Sequence, residues 1–76
     1  MANSPADIAG LLTHVGCSAT IAQNTKAKAD EVLATVVGIL TDKGITVTST
    51  SNDPKRNKSS VMLSNDNLIT VRWMEE

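Results

Sequence analysis

Apolar residues change their spacing along this chain, and each change marks an element. Ile8, Leu11, Leu12 and Val15 recur at i, i+3, i+4 and i+7, one stripe of an α-helix. Ser4 stands ready to cap that helix, Pro5 suits its first position, and Asp7 falls in its first turn. Gly16 is placed to end it in a left-handed conformation, so the spacing predicts a helix over 5–15. A broader face, Val32, Leu33, Val36, Val37, Ile39 and Leu40, predicts a second, central helix. Asp30 and Glu31 would lie in its first turn, and Lys43-Gly44 would end it. Gly38 inside that helix implies a close neighbour, because glycine otherwise costs about 1 kcal/mol there against alanine.

From Ile45 the period drops to two. Ile45, Val47 and Ser49 share one side of a strand and Thr46, Thr48 and Thr50 the other. Ser51 to Ser59 reads as a polar loop around Asp53-Pro54. Val61 and Leu63 then alternate with Met62 in a second strand, and Ser64-Asn65-Asp66-Asn67 is a turn. Leu68 to Trp73 is a third strand, with Ile69, Val71 and Trp73 on one face and Leu68, Thr70 and Arg72 on the other. Residues 17–31 have no clear period. Ser18 caps either a short helix over 19–23, with Asn24 or Thr25 capping the next, or one long helix over 19–43. The expected fold is α+β: two or three helices followed by a three-stranded antiparallel β-meander. The expected core is Ile8, Leu11, Leu12, Val15, Leu33, Val36, Val37, Leu40, Val47, Val61, Ile69 and Val71.

Length and composition narrow the function. Seventy-six residues make a single small domain, 1–76, with no linker, internal repeat or low-complexity tract. Trp73 is the only aromatic ring, so the core is aliphatic and no platform exists for stacking single-stranded bases. Net charge is −1, so bulk electrostatics will not carry the chain to DNA. The seven basic residues are nevertheless clustered: Lys26 and Lys28 form one group, and Lys55, Arg56 and Lys58 another. The acids are dispersed. Cys17 is alone, which excludes an intrachain disulfide and fits a cytoplasmic protein. No signal peptide or membrane-spanning run is read from the sequence, so no membrane partner is expected.

Chemistry is hard to find. His14 is the only histidine; with Cys17 it lacks the third group that would orient a nucleophile–base pair. Two soft ligands do not make a zinc site. The four glycines form no phosphate loop, and Asp30-Glu31, adjacent on a helix, do not share a face. The chain is therefore expected to be no enzyme and to need no cofactor or metal.

The central segment resembles the winged-helix domain of regulators of the multiple-antibiotic-resistance type. In that family a recognition helix ends in a charged residue, Lys and Gly, and a strand, a basic loop with Asp-Pro, and a second strand follow. Here Thr41-Asp42-Lys43-Gly44-Ile45, Asn52-Asp53-Pro54-Lys55-Arg56-Asn57-Lys58 and Ser60-Val61-Met62-Leu63-Ser64 stand in those places. Ile21-Ala22-Gln23 stands where the helix-turn-helix would begin and Asp30-Glu31-Val32 where the recognition helix would start. The resemblance covers residues 18–64. It implies a transcription regulator that binds double-stranded DNA, with Lys55, Arg56 and Lys58 on phosphate at a wing and Lys26 and Lys28 before the recognition helix. Lys26 replaces the usual turn glycine, the family's dimerisation helices are absent, and the helix offers carboxylates where base-reading donors belong. A plain helix pair on the meander is the alternative topology. A compact protein-binding module docking on a larger protein is the alternative function, and a homodimer stays open.

Overall fold

The computed structural model describes residues 4–74. The element order is α1 (Pro5–Leu11), β1 (Ser18–Gln23), α2 (Lys26–Asp42), β2 (Val47–Asp53), β3 (Lys58–Leu63) and β4 (Leu68–Trp73), with a 3-10 turn over Pro54–Arg56. The strands form one mixed sheet in the order β1-β4-β3-β2, in which β1 runs parallel to β4 and the other pairs are antiparallel. The fold is α+β, with two helices and a strand inserted between them. That strand is the main departure from the helix-then-meander order.

Residues 18–23 are a strand, not a helix, so neither the short helix nor the long one over 19–43 exists. Ser18 to Gln23 pairs in unbroken register with Leu68 to Trp73, and Ile21, opposite Val71, is buried. Pairing to a distant strand outweighs a weak local preference here. Ile21-Ala22-Gln23 therefore opens no helix-turn-helix. The rest of the segment is the helix Lys26–Asp42 and the β2–β3 hairpin with its charged tip.

The termini of α2 shift accordingly. Thr25 is its N-cap, and its hydroxyl accepts from the Lys28 amide at 3.2 Å. The helix begins four residues before Asp30, so Asp30 and Glu31 are not in its first turn. Ala29, Val36 and Leu40, spaced by seven and four, are its buried line. Gly44, at φ 85°, closes it. Gly38 is exposed, and a Cβ added there meets nothing within 4 Å, so the close neighbour expected of it is absent. Gly38→Ala should stabilise the domain by about 1 kcal/mol, raising the melting temperature by roughly 4–8 °C.

Ser4 caps α1 as the sequence implies, its hydroxyl accepting from the Asp7 amide at 3.2 Å. The helix stops at Leu11 rather than 15, for a reason that lies in the β3–β4 turn. Asn67, 1% exposed, donates to the carbonyls of Leu12 at 2.8 Å and His14 at 2.7 Å, and accepts from the Cys17 amide at 3.0 Å. Asn65 also donates to Leu12 O at 2.9 Å. These amides hold residues 12–17 as a loop, which turns on Gly16 at φ 81°. Val15 is thereby 89% exposed and Leu11 46% exposed, against expectation, and Ala9 takes the buried place beside Ile8 and Leu12. Asn67→Ala would strand buried backbone groups and should cost about 2–4 kcal/mol, readable as a loss of melting temperature with the sheet intact.

Both helices pack on one face of the sheet, chiefly over β1 and β4. The core is Ile8, Leu12, Ile21, Val36, Leu40, Val61, Leu63, Ile69, Val71 and Trp73 with Ala9 and Ala29. Strand β2 overhangs this cover: Val47, expected inside, is 38% exposed. The register of β2 also slips between Val47 and Ser49, where the Thr48 hydroxyl donates to Met62 O at 3.2 Å.

Candidate functional site

The topology gathers most of the positive charge at one end of the molecule. Because β1 runs parallel to β4, Gln23 and Trp73 finish at the same end. Lys26 opens α2 three residues beyond Gln23. The β2–β3 hairpin turns there too: Lys58 is the partner of Arg72 across β3 and β4, and Lys55 and Arg56 lie on the 3-10 turn just before it. The Trp73 amide donates to Asn57 O at 3.2 Å, joining the tip to β4. Lys26 Nζ stands over the Trp73 ring, 5.6 Å from its centre. The two basic groups read from the sequence thus lie at the same end of the molecule, Lys26 and Lys28 on the helix side of the sheet and Lys58 on its outer face.

Arg72 is the member that sequence reasoning left out. It was placed on the outer face of β4 but not connected to the wing, since its register with Lys58 depends on a pairing the sequence does not print. Six of the seven basic residues, Lys26, Lys28, Lys55, Arg56, Lys58 and Arg72, share this end. The seventh, Lys43, caps the far end of α2, close in sequence to Asp42; Asp66 sits in the β3–β4 turn at that far end.

Local folding explains the tip. Asp53-Pro54 stops β2, Pro54 sets the first turn position, and Asn57 adopts a left-handed φ of 51° that lets the chain return as β3. Acids are present at this end as well: Asp53 is the ladder partner of Lys58, and Asp30 and Glu31 follow in the second turn of α2. Lys26 pairs with Asp30 at 2.7 Å one helical turn on, an exposed pair worth about 0.3–0.5 kcal/mol. Arg56 Nε is 3.8 Å from Asp53, with the arginine side chain 79% exposed. Among the described residues Lys28, Lys55, Lys58 and Arg72 make no ion pair. Lys58 faces Arg72 across one ladder, a like-charge pair, and Asp53 across the other, an opposite-charge pair, on one face of the sheet. Glu75 and Glu76 follow in sequence and lie outside the described residues.

The outer face of the sheet beside these cations carries hydroxyls and small side chains. Thr20, Thr70, Ser60 and Ser51 align across the four strands, and Ala22, Arg72, Lys58 and Asp53 form the next row. A cleft of about 490 Å³ opens at the end of β1 and β4, lined by Thr20, Ala22, Gln23, Asn24, Arg72, Trp73 and Met74. Trp73 itself is 9% exposed: it packs in the core beneath Lys26 and offers no free ring face.

The residues considered for chemistry lie elsewhere. His14 and Cys17 fall in the 12–17 loop at the far end, and it is their backbone groups that Asn67 holds. Among the described residues no three of His, Cys, Asp and Glu gather as a metal site. Among them no helix is long and apolar enough to cross a membrane. The outward side of α2 presents Asp30, Glu31, Ala34, Thr35 and Gly38, and the Thr35 hydroxyl donates to Glu31 O at 3.0 Å. No family model matches the chain, and no match is found among curated proteins or solved structures.

Proposed function

We propose that this chain is a small, non-enzymatic DNA-binding module that holds the phosphate backbone of double-stranded DNA with its cationic end. The carrying observation is that six of seven basic residues share that end, although the chain is net acidic. The cations are spread over a helix start, a hairpin tip and a strand end rather than converging on one pocket. A polymer with charges repeated along its length satisfies that spacing better than a single small anion. The Lys58–Arg72 opposition acquires a reason in this reading, since a phosphate between the two would relieve it. Without an exposed ring, stacking on single strands has no support. The outside of α2 carries Asp30, Glu31 and Asp42 besides alanine, threonine and glycine, so affinity rests on phosphate at the cationic end and carries little sequence choice.

Amide shift mapping with a generic duplex tests the reading. Shifts should concentrate at 24–28, 54–58 and 72–74 and spare 41–44 and 64–67. Shifts spread evenly, or centred on the far end, would remove the cationic end as the site.

A second reading, a protein-binding module, is favoured by one observation. Among the described residues no strand pairs with the outer edge of β1, which lies beside a cleft lined mainly by Pro5, Ile8, Ile21 and Val32.

A further inference from the structure

On the outer face of β3 and β4 the two central strands carry a patch of four polar side chains. Arg72 stands opposite Lys58 and, two residues along each strand, Thr70 stands opposite Ser60. Ser59, Val61, Ile69 and Val71 alternate with them and are buried on the helix side. Directly opposed Thr and Ser can bond each other and so brace a sheet. Here they do not: among the described residues neither hydroxyl has a hydrogen-bond partner. Both residues are half-buried, fixed in mid-sheet with a face toward solvent. The patch has limits. Leu68 and Met62 form the next row along the strands, and Asp53 faces Lys58 from β2.

We propose that Arg72, Lys58, Thr70 and Ser60 together seat one phosphate of a DNA strand, the cations neutralising it and the two hydroxyls donating to its oxygens. The proposal rests on the DNA-binding reading above and adds two uncharged residues and a fixed place to it. Neighbouring strands lie about 4.8 Å apart, and successive rows on one face about 6.7 Å. A single phosphate, with hydrogen bonds of about 2.8 Å on each side, bridges a patch of that size. Serine and threonine hydroxyls are regular partners of DNA phosphate. Asp53 repels phosphate on the β2 side, and the Leu68–Met62 row offers it no side-chain donor, so the seat is confined to β3 and β4. Lys26 and Lys28 lie on the helix side of the sheet and are not part of it.

The double variant Thr70→Val, Ser60→Ala removes the hydroxyls without changing charge. Its affinity for a generic duplex, read by anisotropy of an end-labelled strand, should fall at least about tenfold at every salt concentration. The slope against salt should keep its wild-type value, because neutral donors release no counterions. The same two substitutions in an Arg72→Ala, Lys58→Ala background should cost less than about threefold, since the phosphate they share is no longer held there. Thr70→Ser keeps a hydroxyl and should bind as the wild type does. Ser51→Ala, a hydroxyl lost on the Asp53 strand, should do the same. Should the valine variant fold poorly, Ser60→Ala alone, read below its melting temperature, gives the same comparison. Wild-type affinity in the double variant, an equal fold loss in both backgrounds, or a loss matched by Ser51→Ala overturns the seat and leaves the DNA-binding reading standing. No duplex binding by the wild-type chain removes both.

Discussion

Leu40→Ala should cost about 2–5 kcal/mol, the cost of emptying a fully buried leucine site. Leu40 is the last turn of the α2 buried line, and its carbonyl also accepts from the amides of Lys43 and Ile45, both at 2.9 Å. It therefore sits where the helix closes and the chain turns toward β2. A chain of this length is marginally stable, so the loss takes a large share of the total. At roughly 4–8 °C per kcal/mol, the melting temperature should fall by at least about 8 °C. Val15→Ala is the matched control: with Val15 89% exposed, it should change stability by no more than about 0.5 kcal/mol. Equal shifts for the two variants would mean that the helix faces are assigned wrongly.

The second large effect is on binding. Replacing Lys55, Arg56, Lys58 and Arg72 together by Ala removes up to four phosphate contacts. The slope of log affinity against log salt should flatten by about 3–4, since each contact contributes about 0.9. At low salt this is a loss of orders of magnitude in affinity. Thermal stability should change by no more than about 0.5 kcal/mol, because the like-charge Lys58–Arg72 opposition is lost together with the Asp53–Lys58 and Arg56–Asp53 attractions. Loss of binding with retained stability is the signature of residues held for a ligand. Loss of both together would assign them to the fold.

Much of this fold is legible where local pattern and tertiary role agree. Ser4-Pro5 starts α1, Val36 and Leu40 lie on the buried line of α2, and Gly44 ends it. Ile69, Val71 and Trp73 alternate into the core as β4 requires. What is not legible depends on contacts distant in sequence. Ser18 to Gln23 holds one large aliphatic residue among Ala, Thr and Gln, and becomes a strand because Val71 and its neighbours stand alongside. The end of α1 is set fifty residues away, by an asparagine in a turn that reads only as a turn. The binding end shows the same division. Two runs of basic residues are visible as runs, but their meeting follows from the parallel pairing of β1 with β4, and the place of Arg72 beside Lys58 from the register of β3.

The most direct test of the cationic end is a salt titration of the wild-type chain on a generic DNA duplex. Trp73, the only fluorescent ring, lies under Lys26 within the site and reports on binding without a label. With four to six phosphates engaged, the slope should lie between about −3.6 and −5.4, so affinity falls at least about a hundredfold between roughly 50 and 200 mM salt. No binding at low ionic strength, or binding whose affinity does not change with salt, would contradict the account.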